Sequence, residues 1–112
     1  MDELSKTYRI SMLIDFYDQL LTEKQRTFVR HYFHEDFSLG ELSEMFQISR
    51  QAVNEHIKRA QQTLEDYEAK LQLLAKHEER AACMKQLEAL LDGVPEQTKL
   101  QMSECMKRIV EI

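Results

Sequence analysis

The chain has 112 residues, of which 43% are hydrophobic and 31% charged, and it carries a formal net charge of −5. That length and balance describe one folded domain, or a small domain with an appendage, and exclude wholesale disorder. Two glycines and one proline are too few breakers for hairpins or a loop-rich sheet, so an all-α protein is expected.

The N-terminus, MDELSKTYRI, lacks the basic-then-apolar order of a secretory signal. No apolar run approaches the ~20 residues needed to span a bilayer. A cytoplasmic protein without a membrane span is expected. Residues 3 to 21 place Leu4, Tyr8, Ile10, Leu13, Ile14, Tyr17, Leu20 and Leu21 at mostly helical spacing, which predicts a first helix with a broad apolar face. Thr22 and Gln25 have the spacing of a capping box. They open a second helix, EKQRTFVRHYF, which ends near the polar break His34-Glu35-Asp36. Ser38 and Glu41 repeat the box, with Phe37 and Leu42 in staple positions, and open a short third helix, LGELSEMF. Ser49 caps the next helix, with Ile48 and Val53 as its staple.

From Arg50 to Asp92 there is neither glycine nor proline. Val53, Ile57, Ala60, Leu64, Tyr67, Leu71 and Leu74 alternate four and three apart, one seam along a long helix. The next positions in register are Glu78 and Ala81, so a kink, phase shift or short break is expected across KHEERAA, residues 76–82. Asp92-Gly93-Val94-Pro95 is the clearest turn, and an amphipathic last helix follows. The expected organisation is a helix-turn-helix bundle with its N-terminal helix over 1–75 and a helical C-terminal extension over 76–112.

A helix-turn-helix packs two short helices at a steep angle through a few apolar positions. Leu42 and Phe46 supply the first helix, Ile48 the turn, and Val53 and Ile57 the second, with the small Ser43 at the closest approach. Helical periodicity then turns Gln51, Asn54, Glu55 and Lys58 outward. Arg50, Gln51 and Asn54 stand near the end of the helix that touches base edges. Arginine suits guanine there, and glutamine or asparagine suits adenine. The candidate nucleic-acid-binding residues are Arg50, Gln51, Asn54, Lys58 and Arg59, the last two in the basic run HIKRA.

FSLGELSEMFQISRQAVNEHIKRAQQTLEDYEAKL, with FYDQLLTEKQRTFVRHYFHEDFSLGEL before it, is similar to the YlxM-type family of small bacterial helix-turn-helix proteins. The likeness covers about residues 4 to 75. A more distant resemblance is to the promoter-binding fourth region of sigma factors, and a winged-helix-like bundle is the related expectation. The YlxM likeness implies encoding beside signal recognition particle genes and a regulatory role in that protein-targeting pathway. Among residues it points to the recognition-helix positions Arg50, Gln51, Asn54 and Lys58. Gln47 stands where many such motifs carry a glycine in a left-handed turn.

Between residues 22 and 62 the bases Lys24, Arg26, Arg30, Arg50, Lys58 and Arg59 are balanced by Glu23, Glu35, Asp36, Glu41, Glu44 and Glu55. All of the net negative charge therefore lies elsewhere. Because phosphate neutralisation supplies most DNA affinity, such a head should bind duplex DNA weakly as a monomer, and a dimer would raise its effective concentration. The alternative partners are signal recognition particle components, protein or RNA. Self-association is expected, by default as a dimer, because the Val53–Leu74 seam runs beyond a compact bundle and the first helix is broadly apolar. Arg26, Arg30 and His31 are read as surface groups pairing with Glu23 or Glu35, with a flanking phosphate as the alternative partner. Cys83 and Cys105 are far apart and read as small hydrophobes, with no metal site. Met12, Met45, Met84, Met102 and Met106 read as core filler. No nucleophile motif or glycine-rich phosphate loop is present, so neither catalysis nor a cofactor is expected.

Overall fold

The computed structural model describes residues 2–111. It contains α1 (Glu3–Tyr17), α2 (Glu23–Val29), α3 (Leu39–Phe46), α4 (Arg50–Leu71), α5 (Leu73–Leu90) and α6 (Glu96–Glu111). A short 3-10 turn, Asp18–Leu20, follows α1, and a π-helical turn, Arg30–His34, extends α2. There is no strand among the described residues. The protein is all-α, and the wing of a winged helix, which needs a strand pair, is absent among them.

Local chemistry sets the helix starts. The Thr22 hydroxyl accepts from the Gln25 amide while the Gln25 side chain accepts from the Thr22 amide, so two orphan donors are satisfied reciprocally. Ser38 and Glu41 repeat the exchange, and the Ser49 hydroxyl accepts from Ala52 N–H. Gly93, at φ 84°, turns the chain between α5 and α6, and the Pro95 carbonyl accepts the first helical bond of α6, from Lys99 N–H.

The chain divides into two units, one running to Leu74 and the other from Ala75 onward. In the first, α4 is the spine of two cores. Its N-terminal half contributes Val53 and Ile57 to a cluster with Phe28 and Leu42, against which Phe37, Leu39, Phe46 and Ile48 pack. Its C-terminal half contributes Ala60 and Leu64 to a second cluster with Ile10, Leu13, Ile14 and Tyr17 of α1 and with Val29 and Leu74. The part of the seam expected to run beyond the bundle is thus covered within the chain by α1 at Ala60, Leu64 and Leu74, and Leu71 is left exposed. In α1, Leu4 and Tyr8 remain exposed.

The expected break across residues 76–82 is not found; α5 runs through them without interruption. The chain breaks instead at Gln72, which adopts a left-handed conformation with φ 56°. The cause is a buried polar knot. Tyr17 OH donates to Glu68 Oε1 at 2.6 Å and accepts from Leu73 N–H at 3.0 Å. Glu68 Oε1 also accepts from Leu74 N–H at 3.0 Å. Two opening amides of α5 are therefore capped by side chains from α1 and α4, the service a serine or aspartate N-cap gives elsewhere. The turn swings Leu71 outward and returns Leu74 to the core. Burial and the hydrogen bond to Glu68 raise the Tyr17 hydroxyl above the usual phenol pKa.

In the second unit Leu91 and Met106 are the buried apolar residues. Cys83 and Cys105, read from sequence as small hydrophobes on apolar faces, are both free and exposed. Met102 and Met45 are also exposed rather than core filler, whereas Met106 is buried. A shallow groove of about 270 Å³ is lined by Leu87, Gln101, Met102, Cys105, Met106 and Ile109. No helix among the described residues is long and apolar enough to cross a membrane.

Candidate nucleic-acid interface

α3, the turn at Gln47-Ile48-Ser49 and the first half of α4 form the helix-turn-helix. Gln47 takes the left-handed conformation, φ 56° and ψ 44°, that glycine would favour. Its side-chain amide donates to the Glu44 carbonyl, a local bond that helps a polar residue tolerate this region. Ser43 sits where a small residue is needed, and its hydroxyl donates to the Ile48 carbonyl. The backbone adds a bond from Ile48 N–H to the Ser43 carbonyl. The turn is therefore pinned twice to the same residue of α3. From within the core, Phe28 of α2 packs on Phe46 at 4.7 Å between ring centroids and stacks on His56 at 4.9 Å.

The candidate site residues do not all emerge alike. Gln51, Lys58 and Arg59 are exposed on α4, and Asn54 is half-buried at the flank. Arg50 is exposed, but its guanidinium lies over Gly40 in the first turn of α3. A Cβ built at Gly40 would stand 3.1 Å from Arg50 Nη2. Gly40 thus makes room for that side chain, a role the sequence reading did not assign. Glu55 lies in the same exposed row and approaches Arg59 loosely, at 3.9 Å.

Electrostatics are more segregated than the neutral count suggests. Arg30 pairs with the carboxylate of buried Asp18, and Arg26 donates to the carbonyls of Asp18 and Leu21. Both arginines therefore serve the α1–α2 corner, not pairs with Glu23 or Glu35. His31 does pair with Glu35. Burial against its neighbours pushes the His56 imidazole below its usual pKa, and the fields of Lys24 and Arg59 push the same way, partly opposed by Glu55. No group of three or more potential metal ligands occurs among the described residues.

The profile of the YlxM / p13-like helix-turn-helix proteins matches residues 4–105. A UPF0122 protein of Halalkalibacterium halodurans is 53% identical over 89 residues, covering 80% of this chain and 82% of the relative. One from Oceanobacillus iheyensis is 52% identical over 87 residues, covering 78% and 83%. Another, from Bacillus licheniformis, is 47% identical over 97 residues, covering 87% and 91%. The match reaches well past the helix-turn-helix into the C-terminal unit, farther than the residues 4 to 75 on which the sequence resemblance rests.

Proposed function

The chain belongs to the YlxM / p13-like helix-turn-helix family, and from that premise we propose that it is a duplex-DNA-binding regulatory protein acting in the cytoplasm as a homodimer. The observation that carries this reading is the outward face of α4. Gln51, Glu55 and Lys58 are exposed on it while the opposite face is locked into the core by Val53 and Ile57. A rigid helix with polar groups on its free face suits a major groove. Gln51 is the base-reading residue in this reading, with Asn54 at its flank. Lys58 and Arg59 meet phosphates, and Arg50 adds charge at the α3–α4 corner.

The test is a mobility-shift measurement on duplex DNA fragments with the double variant Gln51→Ala/Lys58→Ala. Both residues are exposed, so the fold is retained and the loss of complex is read directly. Undiminished binding by the double variant overturns the reading.

A second reading is an accessory protein that contacts signal recognition particle protein or RNA. One observation favours its protein arm: Glu55 stands within the exposed row, where it repels the phosphates of either nucleic acid and suits a basic protein surface. Retention of the chain on purified particle, compared with a version ending at Lys76, tests this. Failure of the intact chain to be retained discards it.

A further inference from the structure

The bases of the helix-turn-helix head sort into two groups once their partners are placed. Arg26 and Arg30 are turned onto Asp18 and the carbonyls beside it, and Arg50 lies over Gly40. Lys24 and Arg59 are exposed and sit on different helices. The Phe28–His56 stack, with rings 11° from parallel, fixes α2 against α4. Lys24 is one turn before Phe28 in α2, and Arg59 is three residues beyond His56 in α4. Residues four or three apart share a helix face, so the stack carries both cations to one edge of the recognition helix. Both cations also push the His56 imidazole below its usual pKa, after the larger effect of burial, in keeping with that placement. Arg59 is held by Glu55 only at 3.9 Å, with its side chain 70% exposed.

We propose that Lys24 and Arg59, facing each other across the α2–α4 junction, form a clamp for one backbone phosphate of duplex DNA beside the groove that α4 enters. The proposal rests on the DNA-binding reading above and adds a contact from α2 that the helix-turn-helix itself does not contain. The stacked pair fixes the two helices that bear these cations against each other. A phosphate between them sets the angle at which α4 lies in the groove, since backbone contacts position while base contacts specify.

The experiment is fluorescence anisotropy of the full-length chain with a labelled DNA duplex of arbitrary sequence, followed as salt rises. Lys24→Ala, Arg59→Ala and the two combined should all make the slope of log affinity against log salt shallower by the same amount, about 0.9, because the two cations share one phosphate contact. Lys24→Arg should restore the slope, and Lys70→Ala, at the far end of α4, should leave it unchanged. Circular dichroism of each variant confirms the fold. An unaltered slope for Lys24→Ala, while the unaltered chain binds and Gln51→Ala/Lys58→Ala does not, overturns the clamp and leaves the DNA reading standing. Absence of binding by the unaltered chain at the lowest salt overturns both. Tighter binding to a matched RNA duplex overturns the DNA assignment.

Discussion

Gln47 and Gln72 both hold a left-handed backbone, with φ of 56°, and both end a helix without glycine. Any Cβ there crowds the following carbonyl, at roughly 1–2 kcal/mol per residue, and a β-branched side chain fits that region worst. Gln72→Val should therefore lower the free energy of unfolding in a denaturant titration, while Gln72→Gly, which removes the Cβ, should leave it within about 1 kcal/mol. Equal losses for the two would show that the conformation at Gln72 is not what matters. At His56 the prediction concerns pH. The folded imidazole has a lowered pKa, chiefly through burial. Above the ordinary imidazole value both folded and unfolded chains are neutral there, and stability is full. As pH falls below about 6.5, the unfolded chain takes up a proton that the folded chain resists, and stability drops until the folded ring titrates too. The urea midpoint should fall between pH 7.5 and 5.5, and fall less in His56→Gln. Identical pH dependence in the two proteins would remove His56 from the account.

At the scale of elements, the α4–α5 junction depends on one buried knot. Tyr17→Phe deletes the hydroxyl that accepts from Leu73 N–H and donates to Glu68. A buried partner left unsatisfied costs about 1–3 kcal/mol, and for a domain of this size each kcal/mol lowers the Tm by several degrees. The sharper readout is hydrogen exchange: the Leu73 amide should exchange much faster in Tyr17→Phe, while amides in the Val53–Ile57 turn of α4 keep their protection. Uniform acceleration along α4 would mean general loosening, not loss of a cap. This junction was not legible in the sequence. Gln72 carries no breaker signal, and the seam through Leu71 and Leu74 reads as unbroken because periodicity reports which side a residue faces, not where the backbone turns. The capping boxes at Thr22 and Ser38 were legible because donor and acceptor lie three residues apart.

For the molecule as a whole, the segment from Ala75 onward is shorter than the roughly 40 residues below which domains usually need staples or oligomerisation. It buries Leu91 and Met106 but leaves Leu87, Leu90, Leu100, Met102, Ile109 and Val110 exposed. Self-association is the expected outcome, and it rests on this apolar surface. The Val53–Leu74 seam that suggested it at first is, apart from the exposed Leu71, already covered by α1, α2 and α3. Light scattering should give twice the mass of one chain, and Leu87→Glu/Ile109→Glu should return the single-chain mass with α1–α4 still folded. A single-chain mass for the unaltered protein overturns the expectation, and with it the dimer in the proposed function. Of the candidate site, Gln51, Lys58 and Arg59 were legible as exposed because they oppose a periodic core face. The diversion of Arg26 and Arg30 to Asp18, and the seating of Arg50 over Gly40, were not. A long side chain can reach several partners, and which one it meets depends on how separate helices converge. The sequence by itself determined the helical class, the capped helix starts around the helix-turn-helix and the residues facing its core, because those signals span three or four residues. Only tertiary structure decided where α4 ends, what covers its seam and which cations stay free, because each is settled by groups brought together from different helices.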